Sequence, residues 1–384
     1  MNTVQIEKLV FGGYGLGRDG GGVVLIPGTA SGEIIKYEED GSKGGTRVGR
    51  VVEIIEVSPR RRDAPCVYAG DCGGCDWIHL EYGEQVRCKR EIFLDCVDRI
   101  GKLERPDDIE VITAAEFGYR TRAQIKIDRQ RNCAGFFRRK SNDVVKIDRC
   151  PLLVDEINRV LAGLNSGKIN IIPENIYNIM VLTGNCTASS PVISGLTRAS
   201  TEIDVGGVKF IADGGSFFQS NKFLLEPLGR WACGFVKGKN FLDLYGGIGF
   251  FSLMLADNFE SGVLAENVSA QVRAAEKNFA ANNKNHLKGI VIDIEHDANL
   301  NNLAKPTRPD CVIVDPPRPG LVKQVRKWLT DTVPPTILYV SCNPSTFARD
   351  AKALTEGGYK LEKWALFDLY PNTHHMESAA IFQI

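Results

Sequence analysis

No apolar run in the sequence approaches the ~20 residues a helix needs to span a bilayer, so no membrane partner is expected. The first residues, Met1-Asn2-Thr3-Val4-Gln5-Ile6-Glu7, lack the basic and apolar segments of a secretory signal. Both absences point to a cytoplasmic protein. Net charge is missing too, since 47 Lys and Arg balance 47 Asp and Glu. A uniformly basic, nucleic-acid-coating chain is thereby excluded, but local stripes are not. Gly118 to Cys150 holds ten basic residues against three acidic ones, and Lys43 to Arg62 holds six against two. Basic stripes on a neutral chain are what phosphate contacts require, although a solvated charged surface has the same composition. Disulfides are also unexpected. Eleven cysteines are an odd number in a chain without an export signal, so metal binding or catalysis explains them better.

What is present suffices for several domains. The chain has 384 residues, 43% of them hydrophobic, more than one core usually takes. Residues 1–58 carry short β-branched stretches between glycines, such as Val23 to Ile26 and Arg50 to Val57, with a tight hairpin at Phe11 to Gly17. They read as a small β-barrel. Residues 59–212 open on a cysteine cluster, continue through a helix from about Glu81 to Ile100, and turn to alternating strands such as Arg122 to Ile127. They read as a central α+β domain bearing the basic stripe. Residues 213–384 alternate buried apolar strands at Phe241, Gly262, Gly289, Cys311 and Ile337 with helical stretches. That pattern is a doubly wound α/β sheet, whose ligands sit at the carboxyl ends of the strands.

The sharpest motifs fall at those ends. Asp243-Leu244-Tyr245-Gly246-Gly247-Ile248-Gly249 follows a strand, and Glu266 ends the next one, placed to accept from ribose hydroxyls. Ser252 replaces the third glycine of the dinucleotide fingerprint, and the acid before the turn favours S-adenosylmethionine over nicotinamide. Asp315-Pro316-Pro317-Arg318-Pro319-Gly320 is a stiffened loop that sets an acid over the cleft. Ser341-Cys342-Asn343-Pro344 places a cysteine just before a helix, where the dipole favours thiolate. His374-His375-Met376-Glu377-Ser378 leads a carboxylate into the last apolar strand, as a general base or a solvated turn residue. Cys66, Cys72 and Cys75, with Cys150 far downstream, are four thiols suited to zinc or an iron–sulfur cluster. Cys88, Cys96, Cys133, Cys186, Cys233 and Cys311 have no such pattern and read as packing residues.

The Asp-Pro-Pro-Arg, Ser-Cys-Asn-Pro and His-x-Glu elements, in this order, resemble the RNA uracil-C5 methyltransferase family over essentially the whole chain. The N-terminal segment resembles the TRAM domain, an OB-like RNA-binding barrel. The resemblance implies a Rossmann-like class I methyltransferase domain with a seven-stranded doubly wound sheet. It also implies methyl transfer from S-adenosylmethionine to a uridine C5 in structured RNA, through a covalent bond from Cys342 to C6. Glu377 is then the general base, oriented by His375, and Gln219, Tyr245, Glu266, Asp293 and Asp315 hold the cofactor. Cys66, Cys72, Cys75 and Cys150 hold a 4Fe–4S cluster. The implied partner is RNA, with 23S rRNA favoured and the transfer-RNA T-loop as the alternative, and the simplest assembly is a monomer. Two readings compete. A nicotinamide oxidoreductase with an iron–sulfur cluster leaves the Ser-Cys-Asn-Pro loop and Glu377 unexplained. A non-catalytic RNA-binding iron–sulfur protein accounts for the barrel and basic stripe but for none of the cleft residues.

Overall fold

The computed structural model describes residues 1–104, 109–169, 177–185, 191–194, 200–303 and 308–384. Strands β1 (Asn2–Val10), β2 (Tyr14–Asp19), β3 (Gly22–Pro27), β4 (Ile34–Lys43) and β5 (Thr46–Glu56) close into a barrel in the order β1-β2-β3-β5-β4. Alternation drives it: Val4, Ile6, Val24, Ile26, Ile35 and Tyr37 point inward and form its core. Closure needs a small residue on β2, because a Cβ on Gly15 would lie 2.1 Å from the Thr29 hydroxyl.

Helix α1 (Tyr82–Cys96) runs on into a π-helical turn at Val97–Gly101, and the short β6 (Glu110–Ile112) follows. Strands β7 (Arg122–Asp128), β8 (Cys133–Phe137), β9 (Val144–Lys146), β10 (Asn178–Leu182) and β11 (Val192–Ile193) form an antiparallel sheet ordered β11-β10-β7-β8-β9. Helix α2 (Asp155–Asn165) buries Ile157 and Leu161 against Ile125, Ile179 and Val181 of that sheet. A hairpin, β12 (Ser200–Val205) and β13 (Val208–Asp213), comes next. Its Ile203, Val205 and Phe210 join the core of the following α/β unit.

That unit runs α3 (Leu225–Cys233), β14 (Gly238–Leu244), α4 (Phe250–Met254), β15 (Phe259–Glu266), α5 (Ser269–Ala281), β16 (Leu287–Val291) and α6 (Asp297–Leu303). It continues with β17 (Cys311–Val314), α7 (Lys323–Thr332), β18 (Thr336–Ser341), α8 (Pro344–Glu356), β19 (Lys360–Phe367) and β20 (Glu377–Gln383). Its sheet is ordered β16-β15-β14-β17-β18-β20-β19-β6. The seven strands expected from sequence therefore become eight. The eighth is β6, which pairs Glu110 with Ala365 in parallel. Three residues carry no readable alternation, and their role is to cover the β19 edge.

Strand order reverses at β14, with β15 and β16 on one side and β17 and β18 on the other. The crevice at such a reversal lies outside the carboxyl ends of the strands. The same edge receives the start of β20, because β20 runs antiparallel to β18. No helix among the described residues is long and apolar enough to cross a membrane.

Candidate active site at the carboxyl edge of the sheet

The glycine turn after β14 is held in left-handed backbone at three places: Tyr245 (φ 63), Gly247 (φ 55) and Gly249 (φ 89). A Cβ on Gly249 would lie 2.8 Å from the Phe279 ring, so the turn is drawn tight against α5. Across it, Glu266 accepts from the Gly247 N–H at 3.3 Å and the Val268 N–H at 2.9 Å. Asp243 is buried, and one carboxylate oxygen accepts from the Ser252 hydroxyl at 2.6 Å and its N–H at 3.2 Å. Its other oxygen, and the hydroxyl of Tyr245, are buried without a partner. Burial, reinforced by the charge of Asp315, pushes the Asp243 carboxyl up to about 7. Unsatisfied polar atoms lining a glycine turn suit a ligand that brings its own donors and acceptors. Asp293 lies just past β16, exposed, its side chain accepting from the Glu295 N–H at 3.0 Å.

Register brings the remaining groups together. Ser341, the last residue of β18, pairs with Ser378 of β20, and the Ser378 hydroxyl donates to the Ser341 carbonyl at 3.1 Å. Antiparallel pairing therefore sets Cys342, one residue further along, opposite Glu377, the first residue of β20. Asp315 follows β17 on the same edge. Glu377 is buried, and burial together with the charge of Asp315 pushes its carboxyl far above the ordinary range. Burial also lifts Asp315 to about 7.

The Cys342 thiol differs from the sequence expectation. Asn343 caps α8, its side chain accepting from the Ser345 N–H at 3.0 Å. The helix terminus nonetheless does not produce a thiolate. Burial, then the charges of Glu377 and Asp315, outweigh Arg318 and push the thiol up to about 12.

Several positioning groups carried no sequence signal. The Tyr370 hydroxyl donates to Gln219 at 2.9 Å across 151 positions. The ring of His375, expected to orient Glu377, packs instead on Tyr370 and His374. Burial, then His374 and Arg318, lower His375 to about 3, so it is neutral. Asp350 of α8 is buried and collects the Tyr339 hydroxyl at 2.7 Å, the Leu321 N–H at 2.8 Å and Arg326 at 2.9 Å. Arg349 in turn donates to the carbonyls of Pro319 and Leu321, both at 3.0 Å. Asp350 thus pins the far end of the loop that begins at Asp315. Asp350→Ala is expected to lower stability by about 3 kcal/mol, because it strands buried donors and leaves Arg326 uncompensated. A fall in the thermal midpoint together with slower methyl transfer is the expected readout.

Away from this edge, Cys66, Cys72, Cys75 and Cys150 line one cavity of 310 Å³. All four are free thiols. Burial, then the neighbouring Cys150, Cys72 and Cys66, push Cys75 far up, and burial lifts Cys150 to about 11. Among the described residues no group of three or more His, Cys, Asp or Glu side chains is gathered closely enough to hold a metal ion. Cys88, Cys133 and Cys311 are buried and Cys96 and Cys233 half-buried, each free. Cys186 lies outside the described residues.

A doubly wound sheet with a glycine turn, an acid ending the next strand and a rigid acidic loop at its carboxyl edge is the arrangement of an S-adenosylmethionine-dependent methyltransferase. A family model described as tRNA (uracil-5-)-methyltransferase matches residues 200–383. A protein of Aquifex aeolicus, described as an uncharacterized RNA methyltransferase, is 34% identical over 99% of this chain and 98% of its own. The 23S rRNA (uracil(1939)-C(5))-methyltransferase RlmD of Shewanella amazonensis is 28% identical over 100% of this chain and 95% of its own. The crystal structure of the Pyrococcus abyssi tRNA (uracil-54, C5)-methyltransferase with S-adenosyl-L-homocysteine superposes with a TM-score of 0.75. At 24% identity, over 99% of this chain and 100% of that one, it shows the shared fold. The chain belongs to the RNA uracil-C5 methyltransferase family.

Proposed function

We propose that this enzyme methylates C5 of a uridine in structured RNA through a covalent bond between Cys342 and C6, with 23S rRNA as the RNA. One observation carries the mechanism: the β18–β20 register sets a cysteine opposite a buried carboxylate at the cofactor edge. The choice of RNA is supported by relatives named for 23S rRNA that align over nearly the full length of both chains. Transfer RNA is the alternative, suggested by the family description and by the structural neighbour.

Uracil C5 is a poor nucleophile. Addition of the Cys342 sulfur to C6 moves the C5–C6 π electrons onto C5 and O4, splitting one hard step into two easier ones. S-adenosylmethionine supplies the electrophilic methyl group and a sulfonium charge that favours the ionised forms of Asp315, Glu377 and Cys342. Asp243, Tyr245, Glu266 and Asp315 bind and orient it, with Gln219 held from Tyr370 and Asp293 at the outer margin. Once C5 carries the methyl group, Glu377 takes the C5 proton, the double bond re-forms and the Cys342 thiolate leaves. A duplex hides C5 and C6, so the uridine enters flipped out or from a loop. The N-terminal barrel and the Gly118–Cys150 stripe supply phosphate contacts.

The test is methyl transfer from labelled S-adenosylmethionine into total RNA lacking 5-methyluridine, followed by nucleoside analysis and separation by RNA size. Label in 5-methyluridine of large-subunit RNA is expected. Label in transfer RNA selects the alternative, and no label removes the assignment.

For the four-thiol cavity we propose a 4Fe–4S cluster rather than zinc, a choice that rests on the family resemblance. The cavity gathers four cysteines, and the Gly74 N–H donates to the Cys72 sulfur at 3.4 Å, as N–H groups do around cluster thiolates. Cys66, Cys72, Cys75 and Cys150 would hold it, its role there being to fix the basic loops. Anaerobically purified protein is expected to carry about four irons and a broad visible absorption that Cys75→Ala abolishes. A colourless, zinc-loaded protein would overturn this.

A further inference from the structure

The segment between β19 and β20 delivers Glu377 to the cleft, and residues far away in sequence hold it. Its first half is tied to α1: Lys89 donates to Asp368 at 2.5 Å and to the Tyr370 carbonyl at 3.0 Å. Its centre, Asn372, exchanges hydrogen bonds with Gln85 and accepts from Arg62 at 2.9 Å. In its second half, the His374 side chain reaches the chain that carries the cysteines. His374 Nδ1 and Asp76 Oδ2 are 2.6 Å apart, and Asp76 directly follows Cys75. The other Asp76 oxygen accepts from Arg139 at 2.8 Å, and Arg139 also donates to the Cys75 carbonyl at 2.9 Å. The barrel closes over the same pair. The Phe11 ring meets His374 edge-on at 5.4 Å, and a Cβ on Gly13 would lie 2.8 Å from the Asp76 side chain. His374 then stacks on His375 with ring centroids 4.1 Å apart, two residues before Glu377.

We infer that Asp76 is a positioning residue for Glu377, acting through His374. The inference rests on Glu377 being the base proposed above. The sheet fixes Glu377 from one side, through the Ser341–Ser378 pair. The chain entering β20 fixes it from the other, and Asp76–His374 ties that chain three residues before the carboxylate. Barrel, cysteine loop and catalytic segment meet around this hydrogen bond. The pairing makes a competent base depend on all three being in place. Proton removal from C5 comes after Cys342 has added and the methyl group has arrived, so loosening the tie slows a late step and leaves the early ones alone.

Asp76→Ala, Asp76→Asn and His374→Ala are compared with wild type on unmodified RNA. Three quantities are followed: release of 5-methyluridine, the denaturation-stable protein–RNA adduct, and iron content by visible absorption. Asp76→Ala is expected to release product about 10- to 100-fold more slowly, with adduct accumulating and the KM for S-adenosylmethionine unchanged. Asp76→Asn keeps an acceptor for His374 and is expected to restore most of the rate. His374→Ala breaks the bond from the side remote from the cysteines and is expected to match Asp76→Ala at full iron content, so loss of iron in Asp76→Ala alone does not decide the matter. Wild-type ratios of adduct to product in His374→Ala overturn the inference while leaving the reaction assignment standing. A wild-type enzyme that makes no 5-methyluridine overturns both.

Discussion

Cys342→Ala is expected to abolish 5-methyluridine formation, with a fall of about 10^4-fold or more. Binding of S-adenosylmethionine and RNA should persist, because Cys342 holds neither the glycine turn nor the basic stripe in place. The size of the effect follows from the chemistry. Without a bond at C6 there is no enolate, and among the described residues Cys342 is the thiol set opposite Glu377. RNA carrying 5-fluorouridine sharpens the test. Fluorine cannot leave C5 as a cation, so wild-type protein is expected to stop as a covalent complex that survives denaturation, and Cys342→Ala is expected to form none. Residual methylation within tenfold of wild type by Cys342→Ala would remove covalent catalysis from this fold. The structure adds a condition to the experiment. Burial, Glu377 and Asp315 hold the free thiol near 12, so trapping is expected only when S-adenosylmethionine is present to oppose those carboxylates.

Much of the edge was legible in the sequence for one physical reason. Strands buried on both faces read as continuous apolar runs, and a run ends where the chain emerges at the edge. Cys311 to Val314 and Ile337 to Val340 are such runs, Phe241 to Leu244 is one broken only by Asp243, and each is followed by a loop rich in acids, glycine or proline. Chemistry placed at strand ends is therefore readable along the chain. What lies between distant segments is not. Asp350 reads as an ordinary helix residue, yet it is the buried acceptor that holds the Asp315–Leu321 loop. Tyr370 and Gln219 meet across 151 positions, and Asp76 and His374 across 298. β6 is too short to show a period, and it pairs only because β19 offers an open edge. The surroundings of Cys342 are hidden for a similar reason: a helix start is visible in sequence, but burial and two carboxylates arriving from β17 and β20 are not. The four cysteines are the opposite case. Their spacing alone left zinc and a cluster open, and the fold brings all four to the wall of one cavity.

Glu377→Gln is expected to part the early steps from the late one. Glutamine matches glutamate in size and preserves the β18–β20 pairing, so Cys342 addition and methyl transfer continue. It cannot take the C5 proton, so turnover is expected to fall about 10^2- to 10^4-fold while methylated RNA stays bound to the protein. The wild-type pH profile carries the same assignment. Burial and the charge of Asp315 raise the Glu377 carboxyl well above its ordinary value, and Asp315 itself lies near 7. A raised carboxyl is protonated over more of the pH range, and a protonated base accepts nothing. The rate at saturating S-adenosylmethionine is therefore expected to fall, as pH drops, at a higher pH than the region near 4 where an exposed glutamate would titrate. Asp315→Asn removes the charge that raises Glu377 and is expected to move this acid limb to lower pH even as cofactor affinity drops. An acid limb that stays in place in Asp315→Asn, or survives unchanged in the residual activity of Glu377→Gln, would assign proton removal to another group. Accumulated adduct in Glu377→Gln together with a shifted limb in Asp315→Asn would tie the late step to the carboxylate that the sheet register sets opposite Cys342.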